Sequence, residues 1–213
     1  MDKAALERRL ARVEGFADPR AEFEQYPTPA DVAAHLVHLA AVQGDLAGRT
    51  VVDLGTGTGM LALGAACRGP ARVLALDRDP AALARARENE SRVDPPTHVS
   101  WLLGDATRAP LCLARAETTR ASETTVLMNP PFGAQTGNEH ADRAFLATAS
   151  ELASVSYSLH NSGSRSFVAA FADDEGGEVT HGFRVELALP KQFDHQTSER
   201  AAIDAEAFRI RWE

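Results

Sequence analysis

At 213 residues, with a formal net charge of −8 and 44% apolar side chains, the chain has room for one α/β domain with a substantial core, and its charge balance offers no broadly basic face for nucleic acid. No stretch approaches about 20 consecutive apolar residues, which excludes a helical membrane span, and the charged Met1–Arg12 segment does not read as a secretory signal. Cys67 and Cys112 lack metal-type spacing and read as reduced thiols of a cytoplasmic protein.

Lys3 and Lys191 are the only lysines; the remaining basic residues are arginines. Scarce lysine, abundant alanine and excess acid fit a GC-rich genome and a salt-rich cytoplasm. Counterion release contributes little affinity there, so any RNA binding would rest on shape and stacking.

In chain order, Asp2–Val13 reads as a helix with Leu6, Leu10 and Val13 on one side. Phe23–Pro29 is a proline-punctuated loop, and a second helix follows over Ala30–Val42. Strand and helix signals then alternate. Strands are expected at Thr50–Leu54, Val73–Leu76, His98–Leu103, Thr124–Met128 and Ser154–Ser158, and helices at Met60–Cys67, Pro80–Glu90, Ala141–Leu152 and Arg165–Ala172. Such alternation predicts a parallel sheet with helices on both faces. After a loop at Asp173–Thr180, Phe183–Leu189 and Ile203–Trp212 are two strands without a helix between them. Their pattern suits an antiparallel hairpin at one side of the sheet. The expected fold is α/β and Rossmann-like, with residues 1–49 supplying N-terminal helices and a lid and residues 50–213 the core.

Val51–Gly59 reads V-V-D-L-G-T-G-T-G, a strand running into a glycine loop. Gly55, Gly57 and Gly59 permit close approach of a ligand to the backbone. The spacing is G-x-G-x-G, whereas the dinucleotide fingerprint G-x-G-x-x-G seats a pyrophosphate. Asp53 would repel a phosphate and instead suits the cationic amino-acid part of S-adenosylmethionine, reached through water. Asp77, at the end of the next strand, stands at the interval of a ribose-binding acid. At the end of the third, Asp105 can accept an adenine amino group while the Ala106 backbone N–H donates to the ring; alternatively Asp105 only caps a turn. Three acids at successive strand ends match the edge where open α/β sheets bind ligands.

Asn129-Pro130-Pro131-Phe132 follows the fourth strand. An exocyclic amine on adenine has its lone pair delocalised into the ring. The Asn129 side-chain oxygen and the Pro130 carbonyl can both accept its hydrogens, which frees the lone pair and stabilises developing charge. Pro131 biases Pro130 toward extended backbone, and Phe132 offers a face for stacking a planar substrate. His35 and His38 lie three apart on a helix without a third ligand, so no metal site is expected. His160 and Arg165, in Tyr157–Arg165, stand either near the substrate or in a strand-end loop.

Taken together, these segments resemble the methyltransferase-like-five family of rRNA adenine-N6 methyltransferases. The resemblance is carried by E-Q-Y-P-T at Glu24–Thr28, D-L-G-T-G-T-G at Asp53–Gly59, M-N-P-P-F-G at Met128–Gly133, A-F-L-A-T-A at Ala144–Ala149, Y-S-L-H-N-S at Tyr157–Ser162 and Leu189-Pro190. It implies a seven-stranded class I methyltransferase fold and one adenosine of small-subunit rRNA, near the decoding region, as substrate. Gln25, Tyr26 and Thr28 would fold over the cofactor, and a small zinc-binding activator would pair with the sheet edge. Where the family pattern has a lysine-rich run, this chain has Gln192-Phe193-Asp194-His195-Gln196. The third strand is the expected partner edge, with Val99, Trp101 and Leu103 on one face, Leu102 on the other, and no acidic or basic side chain but His98 between Asp94 and Asp105. Two other readings stand beside this one: a glutamine N5-methyltransferase of a translation release factor, and a non-catalytic RNA-binding scaffold.

Overall fold

The computed structural model describes residues 1–111, 123–132, 141–190 and 200–213. Cys112, Gly133 and the stretch 191–199 lie outside the described residues. Seven strands form one sheet in the order β3-β2-β1-β4-β5-β7-β6. They are β1 (Thr50–Leu54), β2 (Arg72–Asp77), β3 (Val99–Leu103), β4 (Thr124–Met128), β5 (Val155–Asn161), β6 (Gly177–Pro190) and β7 (Arg200–Trp212). The first five pair in parallel. β7 runs antiparallel to β5 and to β6, so the hairpin closes one side of the sheet.

Both faces of this sheet are covered, and the central strands are apolar on both faces accordingly. Along β1, Val51 points into one core cluster while Val52 and Leu54 point into the other. The first cluster is closed by α1 (Lys3–Leu10), α2 (Ala30–Val42) and α3 (Met60–Ala66), through Leu6, Leu10, Leu36, Val37 and Leu63. The second is closed by α5 (Ala141–Leu152) and α6 (Arg165–Asp174), through Phe145, Leu146, Val168 and Phe171. Helix α4 (Pro80–Val93) packs on β2 and β3.

Helix ends follow local chemistry. Asp2 caps α1 by accepting from the Ala5 N–H, so α1 starts one residue later than its periodicity suggests. Asp79 caps α4 from the Ala81 N–H, with Pro80 in the first turn where its missing donor costs nothing. The α4 helix continues to Val93, beyond the expected Glu90, and stops where Asp94 adopts φ +50° ahead of Pro95-Pro96. The expected loop at Asp173–Thr180 is a correction. Asp173 and Asp174 still belong to α6, Gly176 turns the chain at φ +73°, and β6 starts at Gly177. A cross-strand contact explains that early start: a Cβ on Gly177 would lie 2.5 Å from the Trp212 ring, so glycine lets the hairpin pair flush to its end. Because the first five strands run parallel, the carboxyl ends of β1, β2, β3 and β4 open on one edge, and the candidate site lies there.

Candidate functional site

A cavity of about 330 Å³ opens along this edge, within the size range of small-molecule sites. Its floor is the glycine loop after β1. Gly55, Gly57 and Gly59 all have positive φ. At Gly57 a Cβ would stand 3.0 Å from Phe16, and at Gly59 2.8 Å from Trp101, so loop and neighbours pack too closely for a side chain. The loop is tied down from below. Asp53 is 1% exposed; its Oδ2 accepts from the Thr56 hydroxyl at 2.6 Å and from the Ala62 N–H at 2.9 Å. Burial pushes its carboxyl up to about 7 against those two bonds, and its Oδ1 is buried without a partner. Asp53 thus supports the loop from beneath and does not line the cavity.

Asp77, at the end of β2, lines the cavity. Its Oδ2 accepts from the Gly57 N–H at 2.7 Å and its Oδ1 from the Asp79 N–H at 2.9 Å. Burial raises its pKa despite both bonds. Each oxygen keeps a second lone pair. Asp105 and Ala106 also line the cavity. Oδ1 of Asp105 accepts from both the N–H and the hydroxyl of Thr107, so the turn-capping alternative is realised as well.

The N-terminal segment forms the roof, through Phe16 and Phe23–Thr28. It is latched to Asp79. Gln25 Nε2 donates to Asp79 Oδ2 at 2.6 Å, Arg20 donates to Asp79 Oδ1 at 2.5 Å, and the Arg20 N–H donates to Gln25 Oε1 at 2.8 Å. Burial alone would raise the Asp79 carboxyl. The bonds from Gln25, Ala81 and Arg20 outweigh it and hold the carboxyl below its usual range. The guanidinium groups of Arg20 and Arg78 both lie over the Phe23 ring, 4.5 and 4.3 Å from its centre. Further back, the fully buried Asn89 of α4 joins roof to floor. It donates to the carbonyls of Glu14 and Thr58 and accepts from the Glu14 N–H, at 2.9–3.0 Å.

On the remaining wall, Asn129 follows β4. Its Nδ2 donates to the Thr28 hydroxyl at 2.9 Å, and its Oδ1 is buried with no partner among the described residues. Pro131 lines the cavity beside it.

The sequence-derived residues therefore separate into two groups. Gln25, Tyr26, Thr28, Gly55, Gly57, Asp77, Asp105, Ala106, Asn129 and Pro131 meet at one cavity. Asp53, Gly59, Pro130, Phe132, His160 and Arg165 do not line it. Phe132 packs, half-buried, against the first core cluster, and the Asn161 side chain donates to its carbonyl at 3.0 Å. His160 is 1% exposed, bonded through Nε2 to Ser158 and tilted against Phe208, with Asp142 3.9 Å from its Nδ1. Arg165 lines a separate hollow with Phe183, Arg184 and Phe208. Sequence reasoning missed Phe16, Phe23, Arg78, Asn89 and Phe145. Nothing local marks them; an aromatic just after Gly15 was the one available signal. His35 stacks on Phe183 and His38 meets Arg68, which gives both histidines partners in packing.

A sheet in this order, with its cavity at the parallel strand ends above a glycine loop, defines a class I methyltransferase. A model of the family "Ribosomal protein L11 methyltransferase (PrmA)" matches residues 35–108. The crystal structure of PH1948 from Pyrococcus horikoshii, a candidate RNA methyltransferase, superposes with a TM-score of 0.86 at 32% identity, over 100% of this chain and 98% of that one. The rRNA N(6)-adenosine-methyltransferase Mettl5 of Drosophila melanogaster is 33% identical over 96% of this chain and 95% of its own length. An uncharacterized protein of Methanocaldococcus jannaschii, MJ0284, is 31% identical over 98% of this chain and 93% of its own. The chain belongs to the METTL5-type family of rRNA N6-adenosine methyltransferases.

Proposed function

We propose that this protein uses S-adenosylmethionine to methylate the N6 of one adenosine in small-subunit ribosomal RNA, near the decoding region. We further propose that it acts in the cytoplasm, bound to a small zinc-binding activator. The observation that carries this reading is the Asn129 Oδ1, a buried acceptor beside the glycine-loop cavity with no partner among the described residues. Leaving such a group unpaired costs on the order of 1–3 kcal/mol, a cost that an amine donor arriving in the cavity would offset.

The donor set also fits the cofactor. Asp77, Asp105 and the amide oxygen of Asn129 are acceptors, suited to ribose hydroxyls, an amino group and a positive charge, and unsuited to a pyrophosphate. Gln25, Tyr26, Thr28, Gly55, Gly57, Asp77, Asp105 and Ala106 would hold it, Asp53 and Gly59 would shape the loop beneath it, and residues 1–49 would supply the lid. When bound, S-adenosylmethionine supplies an electrophilic methyl group on a sulfonium.

The work of the protein is then to prepare the nucleophile. Asn129 Oδ1 and the Pro130 carbonyl accept the two hydrogens of the adenine amine and localise its lone pair. The same acceptors stabilise the cationic nitrogen as it forms. Once nitrogen is cationic its proton is acidic and leaves without a strong base. Pro131 stiffens the loop, Phe132 stacks the base, His160 backs the strand end, and Arg165 meets RNA phosphate.

The activator would add a strand at β3. That strand ends the sheet, its Leu103 is 63% exposed, and among the described residues no element pairs with its outer side. Trp101 turns inward, donating to Glu90 Oε2 at 2.8 Å, and Val99 is buried in the first core cluster, so Leu102, Leu103 and the exposed positions would carry the contact.

Two measurements test the reading. Calorimetry should show binding of S-adenosylmethionine and none of NAD. Transfer of a radiolabelled methyl group should go to small-subunit RNA. Label on a release-factor glutamine would move the assignment to amide methylation.

A further inference from the structure

We infer that Thr28 is a positioning residue for methyl transfer, anchoring the Asn129 amide at the end of β4. The inference rests on the proposed role of Asn129 and goes beyond it. An asparagine amide has two ends of opposite character: an oxygen that accepts and an NH2 group that donates. Catalysis at an amine needs the oxygen toward the cavity. The reversed amide would set its N–H groups against the hydrogens of the acceptor amine and beside a cationic sulfonium. Among the described residues, the side-chain bond of Asn129 runs from Nδ2 to the Thr28 hydroxyl, at 2.9 Å, so that hydroxyl anchors the amide beside the cavity. Oδ1 is buried, with no hydrogen-bond partner among the described residues.

The segment carrying Thr28 is built to keep still. Thr28 is 7% exposed and stands between Pro27 and Pro29. The two proline rings fix φ on either side, and the second biases Thr28 itself toward extended backbone. Pro29 is the N-cap of α2. Three residues upstream, Gln25 is held by Asp79. Thr28 belongs at once to the roof over the cofactor and to the bond that sets the acceptor. Closing the roof thereby completes the acceptor site, which gives the lid a chemical purpose besides exclusion of water.

The test is Thr28→Val, which keeps the shape and removes the hydroxyl, with Thr28→Ser as the rescue. The variants are assayed as the activator complex on small-subunit RNA. Misplacement of one catalytic group costs roughly 10- to 100-fold in rate. Thr28→Val should lower kcat by about that factor, raise the Kd for S-adenosylmethionine by less than it lowers kcat, and preserve the melting temperature. Thr28→Ser should recover most of the rate. In an Asn129→Ala background, Thr28→Val should add no further loss, because it acts through that amide. A normal kcat, or a loss confined to cofactor Kd, would overturn the inference and leave Thr28 a cofactor contact. If Asn129→Ala itself keeps normal turnover, there is no amide to anchor and the proposed role of Asn129 fails with it. If Asn129→Ala is inactive while Thr28→Val is normal, only this inference fails.

Discussion

On the side of β1 and β2, the acid that lines the cavity and the polar groups that tie roof to floor behind it are bonded to protein partners. Asp77 holds Gly57 and Asp79, Asp79 holds Gln25 and Arg20, and Asn89 holds Glu14 and Thr58. At the end of β4 the arrangement is opposite: Asn129 donates to Thr28, and its buried oxygen has no partner among the described residues. The first side is a scaffold shaped before anything binds. The second is a group kept deliberately short of a partner. Damage to the scaffold should therefore register in stability and cofactor affinity, and damage to the open acceptor in rate.

The largest effect expected is at the acceptor. Asn129→Ala should lower turnover by ~10²–10³, the usual cost of removing one transition-state contact. Cofactor affinity by calorimetry and the melting temperature should barely move. A large drop in either would erase the contrast between the two sides.

Asp53 should make the scaffold pH-sensitive. Its native pKa is pushed to about 7 from an ordinary 3.8. Between those values the folded state keeps a proton that the unfolded chain has released, so stability falls as pH rises from about 4 to 7 and levels off above. Asp53→Asn should remove most of that decline, a few kcal/mol across the window, in denaturant titrations of the free protein. Asp77, also raised by burial, leaves a residual slope of the same sign. An unchanged pH profile would show that Asp53 is not the sensor.

Asn89→Ala strands the Glu14 N–H and two carbonyls. A loss of about 2–3 kcal/mol is expected in urea unfolding, as unpaired buried groups cost on the order of 1–3 kcal/mol. Asp77→Ala should weaken S-adenosylmethionine by about 2 kcal/mol, roughly 30-fold in Kd, while some activity survives at saturating cofactor. The smallest effect lies at the sheet edge. Leu103→Lys should leave the free chain within about 0.5 kcal/mol of wild type, since the site is exposed. It should lower the affinity for the activator on gel filtration; equal complex formation would remove β3 from that interface.

What the sequence made legible was whatever a local rule writes. The strand–turn–acid pattern of Val51–Gly59 and the acids at 77 and 105 locate the floor of the cavity, because backbone geometry and strand ends impose them within a few residues. The hairpin too was readable from the near-alternation of Ile203–Trp212. What stayed hidden was set by distance in space. Asn89 looks like any polar residue of an amphipathic helix, and Phe16 and Phe23 like stray aromatics, until the N-terminal segment folds back over the loop. Trp101 illustrates the same limit. Alternation places it with Val99 and Leu103 on one face of a partner-binding edge strand, while its indole N–H bonds Glu90 and its ring packs on Gly59. His160 was read as a possible substrate contact and lies in the core, because β5 runs three residues further than its apolar pattern announced.

The central claim, that Asn129 turns this cavity into a site for methylating adenosine in rRNA, is tested most directly by nucleoside mass spectrometry. Small-subunit RNA is incubated with S-adenosylmethionine and the activator complex, wild-type or Asn129→Ala. The account predicts N6-methyladenosine with the wild-type chain and at least about a hundredfold less with the variant. Equal N6-methyladenosine from both, or none from the wild-type complex while a release-factor glutamine becomes methylated, would contradict it.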